Sequence, residues 1–328
     1  MKMIKLGLLA ALSGVVMCTT AMAQETVKFV NIGHGYFSGP LYVAVREKLF
    51  EKYGLKAEVI SVKGGSLAFT AVFGEDADFG ILSYEHVLAG AAQGRNVVSI
   101  FNLADRPHNN IVVNNELYEA NKDKSLAERV AALKGHRVGV PSAGGTGEKM
   151  LGVLAREYGL KLPGDVELAY LGGNPAAYVG AFRSKVIDAA MPFEPAGVLM
   201  EQEGLGNTLV NLMSGEVEAF RDLIFITVNT YPEMLTKNPE LVRKVAAVFA
   251  EAQGILLDPV RGKAIMAAEF PNLTPAANEK AYETVSQMWT NNGHMSIEAA
   301  KKVFSYLRPK GTMEIDYDKT FTNDFLEK

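Results

Sequence analysis

The same succession of structural signals occurs twice along this chain. In each copy a predicted strand, a loop, a helix and a second strand lead to a pair of glycines, and a further helix then leads to an aspartate at the start of a buried strand. Three corresponding positions in the two copies are separated by nearly the same number of residues, which favours two lobes built on the same plan. Two copies are too few for a solenoid. The corresponding positions are 108 to 110 residues apart in the pairs Phe29 and Val138, Gly65 and Gly173, and Asp78 and Asp188.

Short apolar segments alternate with longer amphipathic segments, which is the pattern of βα units around mostly parallel sheets. The predicted fold class is therefore α/β. Predicted helices include Tyr42–Tyr53, Glu148–Tyr158 and Pro239–Ala252, and the last of these keeps an apolar face at helical spacing. The predicted strands are Val27–Ile32, Ala57–Val62, Ala77–Leu82, Val97–Leu103, Ile111–Asn114, Arg137–Pro141, Val166–Leu171, Ile187–Pro192 and Leu223–Asn229.

Length and order place these elements in two lobes. A chain of 328 residues is too long for one ordinary core. The first lobe is predicted to contain residues 24–105 and 222–328, and the second residues 106–221, because the helical C-terminal region is expected to pack back onto the first lobe. The chain would then cross near residues 104–110 and again near 220–225, which makes a two-segment hinge.

The N-terminus has the pattern of a secretory signal peptide. Lys2 and Lys5 form a short basic start, residues 6–17 are apolar, and Ala21-Met22-Ala23 has the small residues of a cleavage site. We expect cleavage after Ala23 and export to the periplasm. The apolar run is shorter than the roughly 20 residues that a membrane-spanning helix needs, and no later segment approaches that length.

Cys18 leaves an alternative open, a lipoprotein acylated at that cysteine. Val16 and Met17 stand before it, where that processing signal prefers small residues. Ordinary cleavage after Ala23 removes Cys18, the only cysteine. The mature chain would then have no disulfide, no thiolate nucleophile and no cysteine metal ligand.

The charge of the chain argues against a nucleic-acid partner. Without the signal peptide it has 31 basic and 37 acidic side chains, a formal net charge of −6 with neutral histidines. A surface that binds nucleic acid needs clustered lysines and arginines, and the sequence contains no such run. Mild acidity suits a soluble protein outside the cytoplasm.

Five loops rich in glycine and hydroxyl-bearing residues lie between strand ends and helix starts. Backbone N–H groups lack partners at a helix start, and the helix dipole favours negative charge there. Ligands collect at the carboxyl ends of parallel strands, so the loops predict an anion-binding cleft between facing lobes. Turns and helix caps alone would also explain any single loop. The loops are Gly33–Gly39, Lys63–Ser66, Leu82–Tyr84, Ser142–Thr146 and Gly172–Asn174.

Aromatic residues recur near the same strand ends, where they can stack on a flat ligand or pack in the core. Together they favour an organic ligand over a bare inorganic ion. Glu194 stands between two prolines just past a strand, and its carboxylate can accept bonds from a ligand or form a salt bridge across the cleft. The aromatic residues are Tyr36, Phe37, Tyr84, Tyr178 and Phe193.

Motifs for catalysis and for nucleotide binding are missing from the sequence. The 5 histidines show no close metal-ligand spacing, and no Gly-x-Ser-x-Gly elbow, carboxylate pair or nucleophile–base pair can be proposed. Gly144–Lys149 lacks the spacing of a P-loop, and no Gly-x-Gly-x-x-Gly follows a strand. His34 and His108 are expected near the cleft, as exposed or capping residues. The sequence predicts no catalytic residue, no metal and no cofactor.

A series of motifs spans nearly all of the mature chain: Gly39–Ala44 with Leu49–Leu55, Gly64-Gly65, Ala77–Gly80, Leu133–Val140, the Gly/Thr loop to Thr146, Val186–Ala190 with Glu194–Ala196, and Asn238–Glu240. In the order and spacing of these motifs the chain resembles the solute-binding proteins of ABC importers. The resemblance is to the group that takes alkanesulfonates, taurine, nitrate and thiamine-precursor pyrimidines. It is specific for the family and poorly specific for the ligand.

This resemblance implies a type II periplasmic binding protein fold, whose two hinged lobes close on one ligand. It implies a monomeric receptor rather than an enzyme, which delivers its ligand to a membrane permease and ATPase. Carried over by position, it implies ligand contacts from Tyr36, Phe37, Ser38, Gly65, Ser66, Ser83, Tyr84, Ser142, Gly145, Thr146, Asn174 and Glu194.

The chain also departs from patterns of the same superfamily. The yeast-type pyrimidine synthases use a cysteine-rich segment and a sacrificial histidine, and the absence of cysteine from the mature chain argues against that enzyme. The loops contain no arginine, which weakens nitrate or bicarbonate as the ligand. The expected ligand is a small organic acid, a sulfonate or carboxylate, with pyrimidines and flavins left open.

Two other functions remain alternatives at this point. One is an enzyme on the same fold, such as a chorismate-dehydratase-like lyase, which would be expected in the cytoplasm and is therefore disfavoured by the signal peptide. The other is a sensory binding protein that presents its ligand to a membrane receptor kinase.

Overall fold

The computed structural model describes residues 24–307 and 314–326 of the chain. The described strands form two five-stranded sheets. The signal peptide and the alternative at Cys18 concern residues outside the described ranges. The strands are β1 (Glu25–Asn31), β2 (Leu55–Ser61), β3 (Phe79–Ser83), β4 (Val98–Ala104), β5 (Ile111–Asn114), β6 (Arg137–Val140), β7 (Glu167–Tyr170), β8 (Ala189–Ala190), β9 (Gly206–Val210) and β10 (Ile226–Thr230).

Helices connect and cover these strands. No helix within the described residues is long and apolar enough to cross a membrane. Short 3-10 helices cover Tyr36–Ser38, Leu212–Ser214, Glu218–Phe220 and Tyr317–Lys319. The α-helices are α1 (Gly39–Arg46), α2 (Leu49–Lys52), α3 (Gly65–Phe73), α4 (Tyr84–Ala91), α5 (Asn115–Asn121), α6 (Leu126–Ala131), α7 (Thr146–Glu157), α8 (Pro175–Arg183), α9 (Ala196–Gln202), α10 (Pro232–Lys237), α11 (Pro239–Leu257), α12 (Arg261–Glu269), α13 (Pro275–Ser286) and α14 (Ile297–Leu307).

The two sheets have the same topology. The first has the order β2-β1-β3-β10-β4 and the second the order β7-β6-β8-β5-β9. In each sheet the strand that follows a crossing of the chain, β10 or β5, runs antiparallel to both neighbours, while the other four strands point one way. The predicted α/β class with two mostly parallel sheets is confirmed.

The chain passes twice between the sheets. It leaves the first after Ala104, enters the second at Ile111, and returns between Val210 and Ile226. The two crossing segments lie side by side, because the Phe225 N–H donates to the carbonyl of Ala104 at 3.0 Å. The predicted lobe limits at residues 105 and 221 fall within these connections and stay a prediction.

The core of the first sheet is built by the residues that the sequence patterns mark as apolar. Phe29 of β1 packs against Phe50, Phe79 and Phe249, with ring centroids 5.2, 5.4 and 5.9 Å away. Phe249 belongs to α11, whose predicted apolar face is buried against the sheet. The C-terminal helices also contact the second lobe, since α13 packs against α9 and α14 against α7.

The structure corrects several predicted elements. The helix expected over 42–53 is divided into α1 and α2, because Lys48 adopts a left-handed backbone conformation with a φ of 54°. The strand expected over 187–192 shortens to Ala189–Ala190, and β9 was not predicted because its first three residues, Gly206, Asn207 and Thr208, are not apolar.

Candidate functional site

A cavity of about 1210 Å³ lies where loops of the two sheets face each other. All five loops predicted from the sequence contribute to its lining. They do so because five strands have their carboxyl ends at this cavity, where helices also begin: β1, β2, β3, β6 and β7. A concave cavity lined by apolar side chains and a few polar groups is typical of a ligand site.

Eight of the twelve predicted contact residues line this cavity. Ser142 is exposed, Thr146 is half-buried, and Phe37 and Ser83 are buried at its wall. That these side chains contact a ligand stays a prediction. The eight residues are Phe37, Gly65, Ser66, Ser83, Ser142, Gly145, Thr146 and Asn174.

Three others, Tyr36, Ser38 and Tyr84, are buried beside the cavity without lining it. The ring of Tyr36 stacks on Phe270 at 4.5 Å, and its hydroxyl donates to Asn278 Oδ1 at 2.6 Å. The Ser38 hydroxyl lies in a buried hydrogen-bond pair with the side chain of Asn31. Tyr84 bonds through its hydroxyl to Thr320. Each polar atom is therefore already satisfied within the protein.

Glu194 is the fourth predicted residue that does not line the cavity. Its carboxylate accepts the backbone N–H of Val198 at 3.1 Å and so caps the first turn of α9. Burial raises the pKa of Glu194 to about 7. Glu194 does not line the cavity, and its role as a ligand acceptor or in a salt bridge across the cleft stays a prediction. Its main-chain carbonyl instead accepts the Tyr36 N–H at 3.1 Å and joins the two lobes.

The helices α3, α7 and α8 present their N-termini to the cavity. The residues before α3 and α7 are Gly64 and Gly145, and neither provides a side-chain cap. At the start of α8, by contrast, the Asn174 side chain accepts the N–H of Ala176 at 3.0 Å. The starts of α3 and α7 therefore keep backbone N–H groups that can bind an anion. Lys63 adds one positive side chain to the lining beside α3.

One wall of the cavity is aromatic and carries no charge. Phe37, His108 and Phe193 line it, and the His108 ring centroid lies 5.2 Å from Phe37 and 4.7 Å from Phe193. Burial lowers the pKa of His108 to about 3, so the imidazole is neutral. His34 and His108 both lie at the cavity as expected. His34 is exposed, but the expectation of an exposed or capping His108 is wrong.

Several lining residues were missed by the sequence analysis. The His86 imidazole packs so closely on Gly65 that a Cβ at that glycine would lie 2.2 Å from its Nε2. Arg183 lines the cavity from the last turn of α8, where it pairs with Glu203. The loops themselves contain no arginine. Helical spacing from Ala176 to Arg183 was the signal that could have found it.

A hydrogen-bonded cluster ties α4 to α7 beside the cavity. The buried Glu85 Oε1 accepts the Thr146 hydroxyl at 2.9 Å and the Lys149 ammonium at 3.3 Å. His86 Nε2 lies 3.6 Å from the same oxygen. The hydroxyl of Thr146 is therefore engaged with Glu85, and Thr146 begins α7, whose start has no side-chain cap.

The described residues include no group of three or more histidine, cysteine, aspartate or glutamate side chains placed to hold a metal ion. The site consists of helix starts, one aromatic wall and a few charged side chains at the lining.

The architecture defines a class, the two-lobed α/β binding-protein fold. The alkanesulfonate-binding protein of Xanthomonas axonopodis pv. citri, bound to MOPS, matches it with a TM-score of 0.71 and 18% identity, over 92% of this chain and 100% of that one. The nitrate-binding protein of Synechocystis matches with a TM-score of 0.66 and 14% identity, over 92% and 86%. The type II periplasmic binding fold is confirmed.

The sequence comparison gives the particular family. The family model described as "NMT1/THI5 like" matches residues 37–259, and the chain belongs to that family. A 4-amino-5-hydroxymethyl-2-methylpyrimidine phosphate synthase of Saccharomyces cerevisiae is 25% identical over 293 residues, 88% of this chain and 83% of the yeast protein. The chain is thus similar in sequence to a protein named as an enzyme and in fold to proteins named as binding proteins.

Proposed function

We propose that the protein is the extracytoplasmic solute-binding component of an ABC import system, which captures one small organic anion between two lobes. The observation that carries the proposal is the cavity between the sheets, with the uncapped starts of α3 and α7 on it and an aromatic wall beside them. An anion is stabilised by the helix starts, and the apolar part of the ligand is buried against the wall.

The two lobes, residues 24–105 with 222–328 and residues 106–221, are the units that close on the ligand. Glu85 of the first lobe bonds to Thr146 and Lys149 of the second, which holds them together around the cavity. Closure excludes water and strengthens each electrostatic contact inside. A periplasmic monomer of this kind delivers its ligand to a membrane permease and ATPase.

The resemblance to the yeast synthase supports a second candidate, an enzyme on the same fold. Those synthases are expected to use a cysteine-rich segment, and this chain has one cysteine, Cys18. Within the described residues we identify no nucleophile activated by a base. A receptor returns its ligand chemically unchanged, so recovery of an altered molecule after incubation would favour the enzyme.

Thermal denaturation with a ligand panel tests the receptor directly. The panel contains alkanesulfonates, aromatic sulfonates, aromatic carboxylates, pyrimidines and flavins. A ligand that binds only the folded protein raises its Tm, and a concentration of 100 Kd adds about 2.7 kcal/mol of stability. We expect one chemical class to raise the Tm strongly. A flat response to the whole panel contradicts the proposal.

A matched pair at Ser66 locates the anion. Ser66 lines the cavity in the first turn of α3 and is exposed. Ser66→Asp places a carboxylate where the ligand's acid would bind, and Ser66→Asn has nearly the same size without the charge. An aspartate in the first turn does not harm the helix. We expect the Asp variant alone to lose the ligand-induced rise in Tm. An equal ligand-induced rise in Tm for the two variants would show that the anion does not bind at the start of α3.

A further inference from the structure

His108 occupies an unusual place in the cavity wall. It lies on the first crossing between the sheets, lines the cavity, and is 2% exposed. Its ring packs against Phe37, Phe193 and Phe225, with centroids 5.2, 4.7 and 5.2 Å away. Three aromatic rings from distant parts of the chain thus fix the orientation of one imidazole.

Neither ring nitrogen of His108 has a hydrogen-bond partner among the described residues. Buried polar groups are nearly always paired, because an unpaired one loses its hydration without compensation. A histidine that serves only packing would be expected to bond through at least one nitrogen. The wall therefore contains one donor and one acceptor nitrogen, both buried, that the protein itself does not use.

The chemistry of this ring restricts what it can bind. Burial lowers its pKa to about 3, and a neutral imidazole offers one N–H donor and one acceptor nitrogen. It carries no charge that could neutralise a carboxylate or sulfonate. A second anion here would be desolvated among three phenylalanine rings without a counter-charge. The positive end of the site lies instead at α3 and α7.

We infer that His108 is a specificity-determining ligand contact, which hydrogen-bonds an uncharged polar group, such as a hydroxyl or ring nitrogen, on the aromatic end of a monoanionic ligand. This inference rests on the proposed function and adds an orientation to it. The acidic group lies at the helix starts and the aromatic ring lies against Phe37 and Phe193. The site selects against ligands that are acidic at both ends.

Three matched probes test this ligand class: 4-hydroxybenzenesulfonate, benzenesulfonate and benzene-1,4-disulfonate. They share a ring and a sulfonate and differ in the group at the other end. We expect calorimetric titration of the wild-type protein to show the hydroxyl compound binding about tenfold more tightly than benzenesulfonate, the effect of one buried hydrogen bond. The disulfonate should bind most weakly of the three.

His108→Phe keeps an aromatic ring in the wall and removes both nitrogens. We expect this variant to lose the tenfold preference while the Tm of the ligand-free protein stays level or rises, since no internal hydrogen bond is lost. His108→Gln, which restores a donor and an acceptor, should recover part of the preference. His294→Phe, at an exposed histidine outside the cavity, is the control and should bind all three probes as the wild type does.

Opposite results overturn the inference in separable ways. An unchanged preference in His108→Phe, or a fall in ligand-free Tm that matches the loss of binding, shows a purely structural histidine. Disulfonate binding as tight as that of the hydroxyl compound, or no binding of any probe, overturns the ligand class. The receptor proposal survives each of these results if another member of the broad panel stabilises the protein, and it fails only when the whole panel gives no response.

Discussion

The loops after β1 and β6 occupy equivalent positions in two sheets of the same topology, yet they are built differently. After β1, residues 32–35, with His34 exposed, lead into the 3-10 helix Tyr36–Ser38, and all three of its side chains are buried. After β6, residues 142–144 stay exposed and lead directly into α7. The end of the first loop is buried in the core, whereas the second loop is a surface that presents backbone groups.

The difference assigns different chemistry to the two loops. The first-lobe loop supplies Phe37, which packs with His108 and Phe193 into an uncharged wall. The second-lobe loop supplies the uncapped start of α7. Sheet topology places both loops at one cavity, but the residues they contain decide which end of a ligand each can bind. The proposed orientation of the ligand rests on this division.

The largest expected effect concerns the joint between the lobes, where Glu194 is buried beside the first-lobe loop. Its pKa is about 7 when folded and 4.5 ordinarily. Between these values the unfolded chain loses the proton while the folded protein keeps it, so stability falls as pH rises and levels off above about pH 7. Glu194→Gln has no such titration. The free energy of unfolding of this variant, relative to that of the wild type, should therefore rise by up to about 3 kcal/mol from pH 4 to pH 8.

Urea denaturation at the two pH values measures this difference. Glu240→Gln, at an exposed surface glutamate, is the control and should follow the wild type. If the difference in unfolding free energy between Glu194→Gln and the wild type is the same at both pH values, Glu194 is solvated. The contrast between a buried joint and an open loop would then be wrong.

The next effect tests the open loop after β6. Ala143 is exposed and lines the cavity beside the start of α7. Ala143→Glu brings a negative charge to the anion end, and at about 8 Å with an effective dielectric constant of 20 the repulsion is about 2 kcal/mol. We expect the affinity for the stabilising anion to fall about 30-fold. Ala143→Gln is the size-matched control and should bind within about threefold of the wild type. Similar titrations for both variants would mean that the acid binds elsewhere.

The smallest effect compares two glycines at equivalent positions, Gly65 and Gly173. A Cβ at Gly65 would lie 2.2 Å from His86 Nε2, whereas at Gly173 the nearest atom, on Phe193, would be 3.8 Å away. Gly65→Ala must displace the imidazole and should cost about 1 kcal/mol of unfolding free energy. Gly173→Ala meets no clash and should change it by less than about 0.5 kcal/mol. Equal losses in chemical denaturation would show that the two glycine loops are packed alike.

Much of the fold follows from local signals in the sequence. The repeat at one offset reproduces the equivalence of β1 and β6, and the apolar periodicity of α11 predicts its buried face. The break at Lys48 and the strand β9 do not follow, because they depend on a left-handed residue and on edge pairing with β5 rather than on local hydrophobicity.

The site could be predicted at the level of loops but not of every side chain. Tyr36 precedes Phe37 and Tyr84 follows Ser83, yet only Phe37 and Ser83 line the cavity. Neighbouring residues point in different directions, and sequence position alone does not say which faces the cleft. The burial of His108 depends on Phe193 and Phe225, which come from other parts of the chain.

The most direct test of the account is mass spectrometry of the protein purified without denaturation. Spectra recorded before and after denaturation should show one small molecule, bound in a one-to-one complex and then released unchanged, with a single acidic group and an uncharged aromatic end. Release of an inorganic anion, a cation or a molecule that is acidic at both ends would contradict the assignment of an anion end to α3 and α7 and a neutral end to the His108 wall.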